Sequence, residues 1–318
     1  MIDLSICIAT FNRARFLGET LENILGQAPP NVEVLVVDGA SSDDTPAVVA
    51  EVQRRHPALR YQRQEANGGV DRDFDAAIAL ARGTYCWLFS DDDLLKPGAI
   101  AAVLAQLGQY ALIIVNAEVR DAELRVVLDP NRLRIEGDRV IDDDERLLAE
   151  AGEYLTFIGG VVIRRDLWLA RKREPYFGSL FIHFGVIFQE PLPGPALLMA
   201  EPRIVIRYGN AMWTSRGFEI WMFKWPRLVW STRFGDAAKE RVTPREPWRS
   251  AARLLIHRAI GSYSREEYER WLPRRPMARI IASLPGSMVN ALALAALAII
   301  KRRPTTTRVD LLNSRWRR

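Results

Sequence analysis

An apolar run that ends in three carboxylates constrains this 318-residue chain more than any other segment. Residues 83–93 are Gly-Thr-Tyr-Cys-Trp-Leu-Phe-Ser-Asp-Asp-Asp, which predicts a buried strand followed by an acidic loop. Three adjacent like charges repel one another unless solvent or a cation neutralises them. Two interpretations are open here: a site for Mg²⁺ or Mn²⁺, which prefer hard oxygen ligands, or an acidic cap on a helix that begins near Leu94.

Strands and helices are predicted to alternate over the first hundred residues. The predicted strands are 4–9, 32–38, 59–61 and 85–89, and the predicted helices are about 16–25, 45–52 and 71–81. This order indicates an α/β fold with a doubly wound, mostly parallel sheet. Polar residues follow three of these strands, so we expect Thr10, Arg13, Asp38 and residues 90–93 to meet in a ligand crevice at one sheet edge.

Missing motifs disfavour several classes of protein. No G-x-G-x-x-G follows the first strand, and no G-x-x-x-x-G-K-[ST] occurs, so a dinucleotide-dependent oxidoreductase and a P-loop enzyme are poor interpretations. Cys7 and Cys86, the only cysteines, lie inside predicted strands, which predicts buried thiols in a reducing compartment. No signal peptide is expected, because residues 4–8 already form a strand and no basic segment precedes them.

Four motifs occur in order along the N-terminal half. They are Ile8-Ala-Thr-Phe-Asn-Arg13, Val36-Val-Asp-Gly-Ala-Ser-Ser-Asp-Asp-Thr45, Asn67-x-Gly69, and Ala81-Arg-Gly-Thr-Tyr85 leading into Ser90-Asp-Asp-Asp93. Together they resemble glycosyltransferase family 2, densely over the first hundred residues and more loosely to about residue 215. The segments 69–74 and 85–87, with Ser90, are similar to the abequosyltransferase-like branch of O-antigen enzymes. The resemblance implies a GT-A fold over residues 1–215 and transfer of a sugar from a nucleotide diphosphosugar.

The resemblance also implies which residues contact the nucleotide sugar. They are Thr10, Arg13, Asp38, Gly69, Arg72 and Asp91, together with Arg207 and Asn210 in a segment that closes over the donor diphosphate in similar proteins. Asp38 is expected to accept a hydrogen bond from a ring N–H of the base, and its alternative role is to cap a turn. Arg72 is expected to pair with phosphate, and its alternative is a solvated helix face.

A divalent cation, Mg²⁺ or Mn²⁺, is implied at Asp92 and Asp93. Many family members carry Asp at the first position of an Asp-x-Asp motif, where this chain has Ser90, and Asp92 occupies the second position. The substitution weakens the expected metal site. If the site is weak, arginine is expected to take a larger share of phosphate binding.

Inversion, which the resemblance implies, needs a general base near the acceptor hydroxyl. Family members commonly carry a Glu-Asp pair in the second half of the domain, and this chain has none after residues 159–168. His183 lies at the corresponding place and is the predicted catalytic base, with Glu190 as the second candidate. A structural histidine that caps the next helix is the alternative.

A basic, tryptophan-rich helical region is predicted over residues 216–318. Arginine and lysine are interleaved with five tryptophans, which are Trp213, Trp221, Trp225, Trp230 and Trp248. This mixture is typical of a membrane interface or a groove for single-stranded nucleic acid, and the N-terminal half has no nucleic-acid module, so we predict an anionic membrane surface as the partner. The alternative is that the tryptophans pack inward.

Residues 284–300 are almost wholly apolar but shorter than the roughly 20 residues that span a bilayer. The segment is therefore expected to lie in the membrane interface near basic residues at both of its ends. A buried core helix is the alternative.

The resemblance implies an inverting, metal-assisted hexosyltransferase of bacterial surface polysaccharide synthesis. Its donor is expected to be a nucleotide diphosphosugar carrying a hexose or deoxyhexose. Its acceptor is expected to be a saccharide linked to undecaprenyl diphosphate, at the cytoplasmic face of the inner membrane, where the protein is peripheral or monotopic. Two alternatives stay open: a non-catalytic protein that binds a sugar nucleotide or lipid-linked saccharide, and a nucleotidyltransferase.

Overall fold

The computed structural model describes residues 1–210, 216–285 and 288–293, which divide into two units. The first unit comprises residues 1–207 and 232–238, and the second comprises the described residues among 208–231 and 239–318. The domain boundary after residue 215 stays a prediction.

The first unit is built on a ten-stranded sheet. Its strands are β1 (Leu4–Thr10), β2 (Val32–Asp38), β3 (Arg60–Arg63), β4 (Tyr85–Phe89), β5 (Leu94–Leu95), β6 (Leu112–Arg120), β7 (Val127–Asp129), β8 (Arg139–Ile141), β9 (Val161–Arg164) and β10 (Ala196–Arg207). The main order is β3-β2-β1-β4-β9-β6-β10-β5, with β7 paired to β6 and β8 paired to β10.

Helices connect these strands in the order that the sequence predicts for the N-terminal half. The helices of this part of the chain are α1 (Ala14–Leu25), α2 (Thr45–Arg55), α3 (Val70–Leu80), α4 (Ala99–Leu104), α5 (Asp144–Ala151), α6 (Arg165–Ala170) and α7 (Ile182–Phe188). In α1 the buried residues Leu17, Leu21 and Ile24 recur at helical spacing, which is why this segment packs one face on the sheet.

The sheet is parallel across the N-terminal half and mixed beyond it. Strands β3, β2, β1 and β4 are parallel neighbours, whereas β9 runs antiparallel to both β4 and β6. Strand β10 runs parallel to β6 and antiparallel to β5 and β8. The predicted mostly parallel sheet therefore describes the first four strands, where each crossover contains a helix. Every residue of β1 and β2 is buried, as expected for parallel strands covered on both faces.

The acidic loop does not cap a helix. Asp91, Asp92 and Asp93 lead into the two-residue strand β5, and the next helix begins at Ala99 after Gly98. The helix-cap interpretation of the carboxylates is therefore wrong.

Gly83 lies where two strands leave no room for a side chain. A Cβ added to it would lie 2.6 Å from the backbone N of Ser5 and 2.8 Å from the carbonyl carbon of Leu4. Its N–H donates to the Ser5 hydroxyl at 2.8 Å, and that hydroxyl donates to the Glu33 carboxylate at 2.6 Å. This buried chain of hydrogen bonds links the starts of β1, β2 and β4.

We expect Gly83→Ala to destabilise the first unit by about 1–3 kcal/mol, because the new methyl group would collide with backbone atoms that cannot move independently. The free energy of unfolding in urea measures this effect. Gly194→Ala is the matched control, since its added Cβ would meet only the Ala111 Cβ, at 3.8 Å. Equal unfolding midpoints for the two variants would contradict the close approach at Gly83.

The described residues from 217 onward form helices joined by loops. A continuous stretch runs from α8 (Gly217–Glu219) through a π-helical segment (Ile220–Lys224) into α9 (Trp225–Trp230). It is followed by α10 (Asp236–Val242), α11 (Ala251–Ala259), α12 (Arg265–Trp271) and α13 (Pro276–Ser283). The second unit has its own core, in which the Phe218 and Tyr263 rings stack with centroids 4.4 Å apart. Among the described residues, no helix combines the length and the apolar character needed to cross a membrane.

The tryptophans of this region are only partly exposed. Trp225 is buried, whereas Trp221, Trp230 and Trp248 are half-buried. Trp213 lies outside the described residues. The Arg245 guanidinium lies 5.4 Å from the centre of the Trp230 ring, so cations cover the exposed part of at least one tryptophan.

Part of the predicted interfacial segment can be placed. The residues of that segment that lie outside the described part are 286, 287 and 294–300. Val289 and Ala293 pack into a hydrophobic cluster, whereas Met288 and Leu292 are exposed. The described residues 288–293 are therefore helical with one apolar face packed and one apolar face exposed.

Candidate functional site

The carboxyl ends of three parallel strands form one edge of the sheet. Thr10, the last residue of β1, pairs in register with Asp38, the last residue of β2. The Gly39 N–H donates to the Thr10 carbonyl at 2.9 Å, which joins the two ends. Strand β4 pairs with the other side of β1, so residues 90–93 follow at the same edge. This edge is where open α/β sheets bind ligands.

Arg13 neutralises two of the three consecutive carboxylates. Its Nε donates to Asp91 Oδ1 at 3.1 Å, and its Nη2 donates to Asp92 Oδ2. The Arg13 side chain is 8% exposed and the two carboxylates are 14% exposed each. The guanidinium carbon also lies 4.8 Å from the centre of the Phe16 ring. Arg13, which the resemblance implies as a contact of the nucleotide sugar, is thus a fixed cation at this edge.

Burial and mutual repulsion raise the pKa of carboxyl groups in this loop. Burial first, and then the charge of Asp92, raises the pKa of Asp91 to about 6, although the Arg13 guanidinium acts in the opposite direction. The same two causes raise the pKa of Asp93 well above its usual range, against the Arg207 N–H and the Ser90 hydroxyl. Carboxylates that are buried close together and repel one another in this way favour a cationic ligand.

Arg207 holds the acidic loop in place. Its backbone N–H donates to Asp93 Oδ1 at 2.9 Å, and its Nε donates to the Asp92 carbonyl at 3.0 Å. Its Nη1 donates to the Ala122 carbonyl at 2.8 Å, and its Nη2 forms an ion pair with Glu19. The guanidinium therefore uses a donor on each of its three nitrogens inside the protein, and the contact with the nucleotide sugar that the resemblance implies would have to be made by its remaining N–H groups.

Asp38 is fully buried and both of its oxygens accept hydrogen bonds. Oδ1 accepts from the Ser41 N–H at 2.8 Å, and Oδ2 accepts from the Tyr61 hydroxyl at 2.6 Å. The Arg63 Nε lies 3.9 Å from Oδ2. This geometry matches the turn-capping alternative more closely than an exposed contact to a base.

Asp73 is a carboxylate that the sequence reasoning missed. It lies on α3, is 4% exposed, and contacts Gly39 so closely that a Cβ on that glycine would lie 2.6 Å from Asp73 Oδ2. Among the described residues, none donates a hydrogen bond to this carboxylate. Burial, followed by the charge of Asp38, raises its pKa to about 6. The available signal was its position one turn before Ala77 on the buried face of the helix, where a carboxylate is unusual.

We expect Asp73→Asn to stabilise the protein at pH 7.5 by up to about 3 kcal/mol and to have little effect at pH 4. The folded state keeps the Asp73 proton up to a pKa of about 6, whereas the unfolded chain releases it near its usual value. The stability contribution of this group is therefore present at low pH and is lost as pH rises through about 6. Melting temperatures at the two pH values measure the difference, and a lower melting temperature for the variant at pH 7.5 would contradict it.

The start of α3 holds the loop that precedes α7. Asp71 accepts hydrogen bonds from the Leu180 N–H at 2.9 Å and the Ile182 N–H at 3.1 Å. Arg72 is exposed, with its guanidinium carbon 4.3 Å from the centre of the Phe177 ring. A cation–π contact of this kind holds the guanidinium over an aromatic face and leaves its edge able to bind phosphate.

Gly69 precedes α3 in a backbone conformation that favours glycine. Its φ is +88°, and its N–H donates to the Asn67 side chain at 2.8 Å. The Asn67-x-Gly69 motif is therefore a tight turn with an exposed backbone, which fits the predicted close approach of a nucleotide.

His183 does not have the geometry of a general base. The side chain is fully buried, and its Nε2 donates to the Leu155 carbonyl at 2.7 Å. Burial lowers its pKa to about 4, so the ring is neutral near pH 7 and binds a proton weakly. A base must reach the acceptor hydroxyl, which a buried ring does not do. The geometry matches the structural-histidine alternative. Glu190, the second candidate, is exposed.

Asp91 and Asp92 are the residues that could hold a divalent cation. Among the described residues, no three His, Cys, Asp or Glu side chains are grouped so that they could hold a metal ion by themselves. Mg²⁺ usually binds one or two carboxylates and completes its shell with water and substrate phosphates, and this pair of adjacent carboxylates fits that chemistry. Asp93, which the sequence also predicts as a ligand, is 2% exposed and bound to the Arg207 N–H, so it is placed to support the loop.

Comparisons with known proteins agree with this fold. The family model described as Glycosyl transferase family 2 matches residues 5–167, more than half of the chain. Abequosyltransferase RfbV of Salmonella typhimurium is 27% identical over 233 residues, which cover 67% of this chain and 69% of that protein.

A second relative is the GalNAc(5)-diNAcBac-PP-undecaprenol beta-1,3-glucosyltransferase of Campylobacter jejuni, which is 28% identical over 188 residues. That alignment covers 56% of this chain and 57% of the relative. The crystal structure of S. aureus TarS 1-349 in complex with UDP has a TM-score of 0.58 at 15% identity, and the match covers 98% of this chain and 88% of that one. At this identity the likeness shows the fold alone.

Proposed function

Because this chain belongs to glycosyltransferase family 2, we propose that it transfers a hexose or deoxyhexose, with inversion, from a nucleotide diphosphosugar to a lipid-linked saccharide in bacterial surface polysaccharide synthesis. The observation that carries the proposal is the sheet edge where Arg13, Asp91 and Asp92 lie next to the ends of β1 and β2. An abequosyltransferase and an undecaprenol-linked glucosyltransferase among the relatives support this class of donor and acceptor.

The donor is proposed to lie along this edge with its diphosphate beside the acidic loop. Arg72 is exposed at the start of α3 and is placed to pair with a phosphate oxygen, while the turn at Gly69 lets the backbone approach the nucleotide. Thr10, at the end of β1, lies between the two ends of this crevice. The UDP complex of a structural neighbour supports a nucleoside diphosphate as the occupant.

During transfer the site has to neutralise the negative charge of the departing nucleoside diphosphate. A Mg²⁺ or Mn²⁺ ion held by Asp92, with Asp91 beside it, would supply a Lewis acid that neutralises this charge. The guanidinium of Arg13 acts in the same direction. It pairs with both carboxylates and so reduces their repulsion of a negatively charged diphosphate.

The acceptor hydroxyl needs a base on the opposite side of the sugar carbon. Of the two candidates from the sequence, only Glu190 is exposed, and we propose it in preference to His183, which is buried.

We expect Asp92→Asn to reduce turnover by at least about a hundredfold, because one ligand of the cation and one partner of Arg13 are lost together. The measurement is release of nucleoside diphosphate from a panel of nucleotide sugars with a membrane-lipid acceptor extract, with and without Mn²⁺. Asp166→Asn is the matched control, since that exposed carboxylate pairs with Arg164 away from the acidic loop.

Other outcomes of this assay point to the alternatives. Tight binding of a nucleotide sugar without turnover in the wild-type protein would favour a binding protein. Release of pyrophosphate from a nucleoside triphosphate would favour a nucleotidyltransferase. Equal turnover for Asp92→Asn and Asp166→Asn would contradict the role of Asp92.

We also propose that the second unit docks on an anionic membrane surface at the cytoplasmic face of the inner membrane. Its described residues contain fourteen lysines and arginines and six aspartates and glutamates. Four large apolar side chains near its end are strongly exposed, namely Met277, Ile280, Met288 and Leu292. Exposed apolar side chains beside arginines such as Arg274 and Arg279 are typical of a helix that lies in the interface.

We expect the double variant Met277→Ser/Ile280→Ser to bind vesicles containing anionic lipid about tenfold more weakly than the wild type, because two apolar side chains no longer enter the interface. Vesicle sedimentation measures this. The matched control is Val127→Ser/Val140→Ser, which removes two exposed apolar side chains from the first unit. Equal losses for the two variants, or no binding by the wild type, would contradict the proposed surface.

A further inference from the structure

A groove in the second unit is lined by aromatic rings and by two arginines. Residues of the helical stretch 222–231 and of the segment 245–248 form it, and its volume of about 390 Å³ is in the range of pockets that hold small ligands. Its lining includes Phe223, Arg227, Trp230, Arg245, Glu246 and Trp248. We refer to this feature as the tryptophan groove.

Contacts inside the second unit hold the two tryptophan rings of the groove in place. The Trp230 indole N–H donates to the Thr243 carbonyl at 3.1 Å, and the Arg245 guanidinium carbon lies 5.4 Å from the centre of the Trp230 ring. The Arg275 guanidinium carbon lies 4.6 Å from the centre of the Trp248 ring. Such a contact fixes a guanidinium over an aromatic face and leaves its N–H edge able to bind an anion.

One wall of the tryptophan groove includes residues of the π-helical segment Ile220–Lys224. Phe223, which belongs to this segment, also stacks on Trp271, with ring centres 4.8 Å apart. π-Helical turns are rare in proteins and occur frequently at functional sites. The backbone at this wall therefore supports a ligand-binding role for the groove.

The two arginines of the groove have no carboxylate partner within the part of the chain that the structure describes. Arg227 and Arg245 are exposed, and among those residues neither forms an ion pair or donates a side-chain hydrogen bond. Glu246, which also lines the groove, forms its ion pair with Arg249 at 2.6 Å. The groove thus presents two guanidiniums whose charge is not neutralised locally, which favours an anionic ligand.

We propose that the tryptophan groove binds the headgroup of a membrane lipid that ends in a terminal phosphate. A terminal phosphate carries about two negative charges near pH 7 and presents three acceptor oxygens, so it can pair with two guanidiniums at once. A phosphodiester headgroup carries about one negative charge and satisfies such a pair less well. The proposal rests on the proposed docking of the second unit on a membrane, and it adds a specific site to that general attraction.

The position of Arg275 supports a lipid, rather than a soluble phosphate, as the occupant. Arg275 lies over the Trp248 ring and immediately precedes α13. Met277 and Ile280 on that helix are exposed, and they are the apolar side chains proposed to enter the membrane interface. A groove beside these side chains lies next to the headgroups when the helix is in the interface.

The experiment compares two kinds of vesicle by sedimentation with the full chain. Phosphatidylcholine vesicles contain either phosphatidic acid, which ends in a terminal phosphate, or phosphatidylglycerol, which is a phosphodiester, in amounts that give equal surface potentials. We expect the wild type to bind the phosphatidic acid vesicles about tenfold more tightly, because each guanidinium makes charge-assisted hydrogen bonds to the terminal phosphate. Arg227→Gln/Arg245→Gln is expected to bind both kinds of vesicle equally.

Two further variants separate the groove from net charge and from folding. Arg265→Gln/Arg270→Gln removes two exposed arginines from α12 that do not line the groove, so it should weaken both vesicles alike and keep the preference. Arg227→Lys/Arg245→Lys keeps both charges but loses the planar guanidinium, so it should lose the preference while its binding to phosphatidylglycerol vesicles stays at the wild-type value. This variant tests the groove even if the glutamine variant does not fold.

Several results would overturn the proposal. Equal binding of the wild type to both vesicles would leave the membrane surface in place and remove the groove as a specific site. A preference that survives in both groove variants, or that is lost in Arg265→Gln/Arg270→Gln as well, would have the same meaning. Tight binding of inorganic phosphate in the absence of vesicles, measured by tryptophan fluorescence and lost in Arg227→Gln/Arg245→Gln, would assign the groove to a soluble phosphate. If the wild type binds neither vesicle, the proposed membrane docking fails and the lipid site fails with it.

Discussion

Repulsion among the three carboxylates of residues 91–93 is the constraint on which the rest of the first unit depends. The loop stays in place because two arginines from distant parts of the chain bind it. Arg13, just before α1, pairs with Asp91 and Asp92 through its side chain. Arg207, the last residue of β10, binds the loop through its backbone N–H and its guanidinium. Three elements that are far apart in sequence are thereby held at one edge of the sheet, and this contact defines the crevice.

The same edge contains groups that lower the stability of the folded state. Burial and neighbouring charge raise the pKa of both Asp73 and Asp91 to about 6, so at neutral pH each carries a charge that the fold does not fully stabilise. Such groups persist in proteins where a ligand supplies the missing partner. Strands β1 and β2 are buried along their whole length, and this burial provides stability that offsets the cost of the two poorly stabilised charges.

Periodicity and turn residues were enough to predict the N-terminal strands, the helices between them and the edge where polar residues gather. Each of these depends on local pattern and on the parallel connection between neighbours. The roles of individual side chains were harder to predict, because they depend on contacts between residues far apart in sequence. His183 is chemically suited to be a base, but its ring is enclosed by the fold and bonded to Leu155, 28 residues away. Asp73 resembles an ordinary helix-surface carboxylate until its contact with Gly39 is known.

The charge balance of the acidic loop decides how a diphosphate can bind there. Ser90 gives this loop one carboxylate fewer than an Asp-x-Asp loop with Asp at that position, but three remain, and Arg13 forms ion pairs with two of them, Asp91 and Asp92. The guanidinium of Arg207 forms its ion pair with Glu19. The loop therefore keeps a negative excess, and a diphosphate that approaches it adds more negative charge. Under the proposed function a further cation would accompany the ligand, either a divalent ion at Asp91 and Asp92 or the exposed guanidinium of Arg72. Since a divalent ion neutralises two charges at the carboxylates themselves, whereas Arg72 acts from the start of α3, the two are expected to act together.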